Sequence, residues 1–154
     1  MGKVKHILMA KNAGDKLFEV DKAELEKGFG IVGDRYHKKA GTFSKSLSKS
    51  GDFEVTLIDR TEIDTFNQTM DLNYSAAVFR RNIVTEDINL PSLLGSEFMI
   101  GNTRLRAIRL CEPCKYLANL LGEAVMENMM GKCGIRAVIV KSGEVSVGDL
   151  IYSD

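Results

Sequence analysis

Histidine, proline and cysteine are scarce in this chain, and each scarcity closes off a chemistry. The two histidines, His6 and His37, stand far apart, so no HExxH pair exists for a zinc peptidase. No G-x-S-x-G run offers a serine nucleophile either. Three cysteines are an odd, sparse set, unlike the framework of a secreted disulfide-rich domain. Neither sign of charge is in excess: Lys plus Arg and Asp plus Glu each number 21, which leaves no global basic field for nucleic acid. No apolar run approaches a membrane span, and the one at Ile7-Leu8-Met9-Ala10 is too short for a secretion signal. Met1-Gly2 opens as a myristoylation site does, but position 6 is His rather than Ser or Thr. The expectation is a reduced, soluble, cytoplasmic protein with neither nucleic acid nor membrane as partner. What is present is 44% apolar residues in a chain of 154, enough to bury a core as one domain, 1–154.

The chain turns on Leu110-Cys111-Glu112-Pro113-Cys114-Lys115-Tyr116-Leu117. It closes an alternating run from Thr103 that reads as a strand. It opens a segment with Leu117, Leu120, Leu121 and Ala124 at helical spacing, expected to run from Lys115 to Met130 with Gly131 just past its end. Pro113 suits a helix's first turn, where a missing N–H costs nothing. Cys114 would then lie at a helix N-terminus, where free N–H groups and the macrodipole favour an anionic sulfur. The same proline disfavours helical backbone at Glu112, which leaves Cys111 on the strand side, packed under the body of the protein. The plainer alternative for Cys114 is a buried, inert thiol acting as a small hydrophobe.

Along the chain, Val4 to Ala10, Leu17 to Val20 and Ala23 to Lys27 read as strands. Lys38 to Asp52 is polar and without period, the best candidate for a mobile surface loop beside the site. Phe53 to Ile58 alternates as a half-buried strand. Asp59, with Glu62 three residues on, has the spacing of a capping box for a helix reaching about Met70. Asn82 to Thr85 is a short strand, Pro91 and Gly95 bracket a turn, and Gly101-Asn102 joins Glu97–Ile100 to Thr103–Leu110 as a hairpin. Ile135 to Val140 is apolar enough for a central strand, and Val145 to Tyr152 finishes the chain. Many short strands and two or three helices predict a mainly β domain, a barrel.

Cys111-Glu112-Pro113-Cys114 matches the C-x-x-C of a thioredoxin site, but no proline follows Pro113 to form the later cis-proline loop, and the βαβ context is missing. A structural zinc would need Cys111, Cys114, Cys133 and His6 or His37, with no second ligand pair to support it. Gly28-Phe29-Gly30-Ile31-Val32-Gly33 has dinucleotide-site spacing, yet the charged stretch after it carries no apolar helical stripe. Its glycines instead permit positive φ and a close backbone approach. Arg80-Arg81-Asn82 enters a strand from a polar loop. Such arginine forks suit phosphate or carboxylate, and the alternative is a solvated pair.

Several pieces, taken in order, resemble the MOSC domain, named for the C-terminal domain of molybdenum-cofactor sulfurases. They are Gly30-Ile31-Val32-Gly33-Asp34-Arg35, the strand Phe53–Asp59, Arg81-Asn82-Ile83-Val84-Thr85-Glu86-Asp87-Ile88-Asn89-Leu90, Gly95–Gly101, Glu112-Pro113-Cys114-Lys115, and Gly134–Ala137 through Gly148-Asp149-Leu150-Ile151. Departures are Asp87 where the family has glycine, and Gly131-Lys132-Cys133-Gly134 in place of a Gly-Arg-x-Gly-Gly run. The resemblance implies a β-barrel of the same broad class as that of pyruvate kinase. It also implies binding of the molybdenum cofactor (molybdopterin), or carriage of sulfur for metal–sulfur centres. On it, Cys114 matches the family's hallmark cysteine, as metal ligand or persulfide site, with Asp34, Arg35, Arg81 and Asn82 toward the pterin phosphate. The implied partners are the cofactor and a sulfur donor or electron-transfer protein. Alternatives are a small molybdoenzyme reducing N-hydroxylated compounds with external electrons, and a non-catalytic interaction barrel.

Overall fold

The computed structural model describes residues 2–37 and 54–153. The expected loop Lys38–Asp52 lies outside the described residues. Eleven strands occur among the described residues: β1 Gly2–Met9, β2 Phe18–Val20, β3 Lys22–Glu26, β4 Gly30–Ile31, β5 Val55–Asp59, β6 Ile83–Glu86, β7 Glu97–Ile100, β8 Thr103–Leu110, β9 Ile135–Lys141, β10 Gly143–Ser146 and β11 Leu150–Ser153. Helices are α1 Arg60–Met70, α2 Lys115–Leu121 and α3 Ala124–Asn128, with 3₁₀ turns at Ala76–Phe79 and Leu90–Leu93.

Seven strands pair in the order β11-β7-β8-β9-β5-β6-β1, and β1 returns to β11 to close a barrel. The mainly β barrel expected from the sequence is the fold. All of its pairings are antiparallel except β5 with β6, which are joined through α1 as a parallel pair requires. Strand β2 adds to β1 outside the ring, and β10-β3-β4 form a separate three-stranded sheet.

Two apolar cores result. Inside the barrel lie Val4, Ile7, Val55, Leu57, Ile83, Phe98, Leu105, Ile135 and Ile139. Outside it Leu8, Ile58 and Val84 meet Ile63, Phe66, Phe79, Leu117 and Val125 from the helices and the first 3₁₀ turn. Phe66 and Phe79 meet edge to face at 5.9 Å. A register shift between Val4 and His6 lets Val4 and Ile7, an odd number of residues apart, both face the barrel interior, while the alternate face of β1 turns Leu8 to the outer core. β5 is not the half-buried strand its alternation predicts. All five residues are buried, because the barrel covers one face and the helices the other.

Three further expectations need correcting. The single helix Lys115–Met130 is two helices, since Gly122 takes φ 94° and ψ 162°, a region open essentially to glycine alone. Helix α2 begins at Lys115 with Cys114 as its N-cap, so Pro113 precedes the helix rather than entering its first turn. The closing segment Val145–Tyr152 is likewise divided: β10 pairs with β3, whereas β11 pairs with β1 and β7 to seal the ring. The Asp59 cap forms, but its carboxylate accepts from the Thr61 N–H at 3.2 Å and the Thr85 hydroxyl at 2.7 Å, tying α1 to β6.

Candidate functional site

Cys114 lies between the end of β8 and α2, in extended backbone (φ −128°, ψ 172°), with no capping bond from its side chain. It is half-buried. Cys111, three residues earlier, is buried, and its N–H donates to the Gly134 carbonyl at 2.8 Å. Glu112 accepts from the Gly131 N–H at 2.8 Å, which joins the two ends of the α2–α3 excursion.

Cys114 shares a shallow recess with Arg35, Tyr36, Arg80, Arg81, Tyr116 and Arg136. The arginines arrive from three parts of the chain: Arg35, the neighbours Arg80 and Arg81, and Arg136. Arg35 follows the turn after β4, where Asp34 is fully buried. The Asp34 carboxylate accepts from the Ala10 N–H (3.0 Å), the Tyr36 N–H (3.3 Å) and Arg35 Nη1 (2.9 Å). Arg35 Nη2 donates to the Arg80 carbonyl at 3.0 Å. Arg80 ends the first 3₁₀ turn in left-handed backbone, φ 63°, and donates to the Asp15 carbonyl at 2.7 Å. Its guanidinium lies 5.5 Å from the Tyr116 ring centroid.

Arg81 is buried and, among the described residues, forms no ion pair. Its Nε donates to the Cys133 carbonyl (2.9 Å), Nη1 to the Phe79 carbonyl (3.1 Å), and Nη2 to Cys133 Sγ (3.1 Å) and the Cys111 carbonyl (3.4 Å). Arg136, on β9 and 6% exposed, lies over the Tyr36 ring at 5.9 Å, and Arg35 at 4.5 Å from the same centroid.

Charge dominates this recess. Burial, then the neighbouring Arg35 cation, lower the Arg80 pKa. Burial alone would lower that of Arg81, but the thiols of Cys111, Cys133 and Cys114 around it, with Tyr36, raise it instead. Burial pushes the Cys133 thiol up, against the pull of Arg81. Two guanidinium nitrogens, Arg80 Nη2 and Arg136 Nη1, are buried without a hydrogen-bond partner among the described residues.

Of the residues singled out from the sequence, Cys114, Arg35 and Arg81 therefore meet in one recess. Asp34 stands behind Arg35. Asn82 belongs to the barrel wall: its Oδ1 accepts from the Thr56 N–H and hydroxyl, both at 3.1 Å, and its Nδ2 donates to the Leu8 carbonyl at 3.2 Å. Arg136, Tyr36 and Tyr116 were not legible as site residues, although an arginine inside the apolar run Ile135–Val140 is a signal in itself. Among the described residues no three His, Cys, Asp or Glu side chains are grouped to hold a metal ion. His6 and His37 pair with Glu19 and Glu26, and neither joins the cysteines among the described residues.

About 30 Å³ is open within the recess itself. It adjoins a larger cleft of about 430 Å³ that shares Arg80 and Tyr116 and adds Lys16, Tyr74, Leu120 and Leu121. A separate cleft of about 350 Å³ opens beside Asp59, Glu62, Asp87 and Lys132, and has neither cysteine nor arginine in its lining.

A family model described as the MOSC domain matches residues 33–152. The chain belongs to the MOSC domain family. Solved structures agree on the fold of this MOSC chain. The YuaD protein of Bacillus subtilis superposes with a TM-score of 0.79 at 20% identity, over 98% of this chain and 94% of that one. YiiM of Geobacillus stearothermophilus gives 0.72 at 14% identity, over 100% and 75%. YiiM of Escherichia coli gives 0.67 at 17%, over 99% and 69%. At such identities the likeness is one of fold. Among curated proteins none matches the sequence of this MOSC chain.

Proposed function

We propose that this MOSC domain binds the molybdenum cofactor, with Cys114 as a sulfur ligand to the metal and the arginine recess and its adjoining cleft holding the anionic, ring-bearing remainder. The observation that carries the reading is one half-buried thiol among four arginines, two of which hold a buried N–H without a partner. The donor chemistry fits. A thiolate is a soft ligand suited to molybdenum, and guanidinium forks suit phosphate oxygens. The recess alone is far too small for a pterin, but the cleft reached past Arg80 has the volume, two tyrosine rings and Lys16. The cofactor, when bound, supplies a redox metal. The chain's own residues bind and orient it. In this reading Asp34 and Asn82 act by positioning, Asp34 by aiming Arg35 and Asn82 by locking β5 and β6 to β1.

A second reading, carriage of a persulfide on Cys114, is favoured by the volume beside the thiol. A space of about 30 Å³ suits one or two atoms rather than a ring system. One preparation tests both. Protein from a molybdenum-replete host is assayed for molybdenum, for pterin fluorescence and for persulfide. Molybdenum with pterin, lost in Cys114→Ser, is the expected result. Persulfide without metal favours the carrier, and absence of all three overturns both readings.

A further inference from the structure

We propose that the recess around Cys114 accepts a small divalent oxyanion bearing a terminal sulfane sulfur, with thiosulfate the simplest, and that Cys114 takes that sulfur. This rests on the carrier reading above and names the class of donor.

The first support is charge. Arg35, Arg80, Arg81 and Arg136 line the recess, and Asp34 is committed to Arg35 through a 2.9 Å ion pair. Among the described residues, Arg80, Arg81 and Arg136 form no ion pair. Arg81 and Arg136 are buried and Arg80 half-buried, and cations withdrawn from water without a counter-charge are costly. Together the three match a cysteine thiolate with a dianion.

The second support is hydrogen bonding. Arg80 Nη2 and Arg136 Nη1 are buried donors without acceptors, and Arg136 is nearly excluded from solvent. Orphaned donors of this kind are rare, and an oxyanion satisfies them. The third is size. The open volume of about 30 Å³ admits the end of a small anion, with the rest at the mouth. Phosphate or sulfate would answer the arginines but would leave the thiol in the same recess without a role. An anion with sulfur at one corner uses both.

The step balances without an oxidant or reductant. The Cys114 proton leaves to water, and the thiolate Sγ attacks the sulfane sulfur. A Cys114 S–S bond forms as the sulfane-to-sulfonate S–S bond breaks, and the electron pair leaves with sulfite. Charge is conserved, since thiolate and thiosulfate become persulfide anion and sulfite. The same guanidinium groups that bound the substrate oxygens hold the departing sulfite.

The test uses the reduced full chain. Incubation with thiosulfate should add the mass of one sulfur atom to wild type and none to Cys114→Ser, and cyanide should then release thiocyanate. Arg80→Gln and Arg136→Lys should each raise the thiosulfate concentration for half-maximal loading by about tenfold or more, the loss of one charge-assisted contact. Loading from a neutral organic trisulfide, read as the mass of the mixed trisulfide that forms when Cys114 attacks its central sulfur and a thiolate leaves, should suffer less in both variants. Because Arg80 is the less buried of the two, its variant carries the test should Arg136→Lys fail to fold. If the trisulfide loads Cys114 and thiosulfate does not, the donor class is wrong and the carrier reading survives. Loading from neither overturns both. Thiosulfate loading untouched by either arginine variant overturns the role of the recess.

Discussion

Arg81 Nη2 lies 3.1 Å from Cys133 Sγ, so a buried guanidinium is held by a thiol and three carbonyls instead of a carboxylate. This arrangement pins the Gly131–Gly134 segment and the end of β8 beneath the recess. Arg81→Met should destabilise the protein by about 1–3 kcal/mol, since the stranded Phe79, Cys111 and Cys133 carbonyls outweigh the relief of removing an unpaired buried cation. Cys133→Ser, which keeps a polar acceptor, should cost less. Urea unfolding of both variants gives the comparison, and equal losses would argue against the guanidinium as the pin.

Glu54 is buried and accepts from the Gly28 and Ile139 N–H groups at 3.2 and 3.0 Å. Burial raises its pKa above 4.5, opposed by those two bonds and by Lys27. The carboxylate is thus disfavoured in the folded state. Its contribution is fully present below the unfolded value and is lost as pH rises through the folded one. Glu54→Gln keeps an acceptor oxygen but does not titrate. Wild type should therefore lose stability relative to Glu54→Gln between about pH 4 and about pH 7. Denaturant midpoints at the two pH values check the sign, and a constant difference would mean that Glu54 titrates normally.

Gly122 and Gly134 both have φ 94°, but for different reasons. A Cβ on Gly122 would meet nothing within 4 Å, whereas one on Gly134 would run into the Leu57 carbonyl. Gly122→Ala should cost about 1–3 kcal/mol of backbone strain alone. Gly134→Ala should cost clearly more, because β5 and β9 must part. Thermal unfolding of the pair separates conformational strain from collision.

Among the three thiols, Cys114 is half-buried while Cys111 and Cys133 are buried. Alkylation by iodoacetamide in single-cysteine variants should modify Cys114 in the folded protein. The other two should react at rates set by unfolding. A faster Cys111 would shift the chemistry toward the C-x-x-C pair.

The strands and hairpin around the site were readable because alternation is local: Glu97–Ile100, Gly101-Asn102 and Thr103–Leu110 carry their pattern in adjacent residues. What failed was information held between distant segments. The apolar stripe Leu117, Leu120, Leu121, Ala124 runs through Gly122 without a break, so only the backbone angles reveal two helices. The burial of both faces of β5 depends on helices that the strand's own sequence does not mention. Motifs single out Cys114, Arg35 and Arg81, which share the recess. Arg136 joins them only because β9 sets it against Tyr36, a neighbour far away along the chain.

Gly2 pairs with Ile151 and Lys3 with Leu150, so the ring depends on β11, a strand synthesised after β1 to β10. Until β11 emerges, the early part of β1 and the outer side of β7 are bare edges, open to pairing with other chains. Closure is then a late, long-range event of the slow kind. A nascent chain stalled before Leu150 should bind chaperones or aggregate, although every one of the recess side chains named above has already been made.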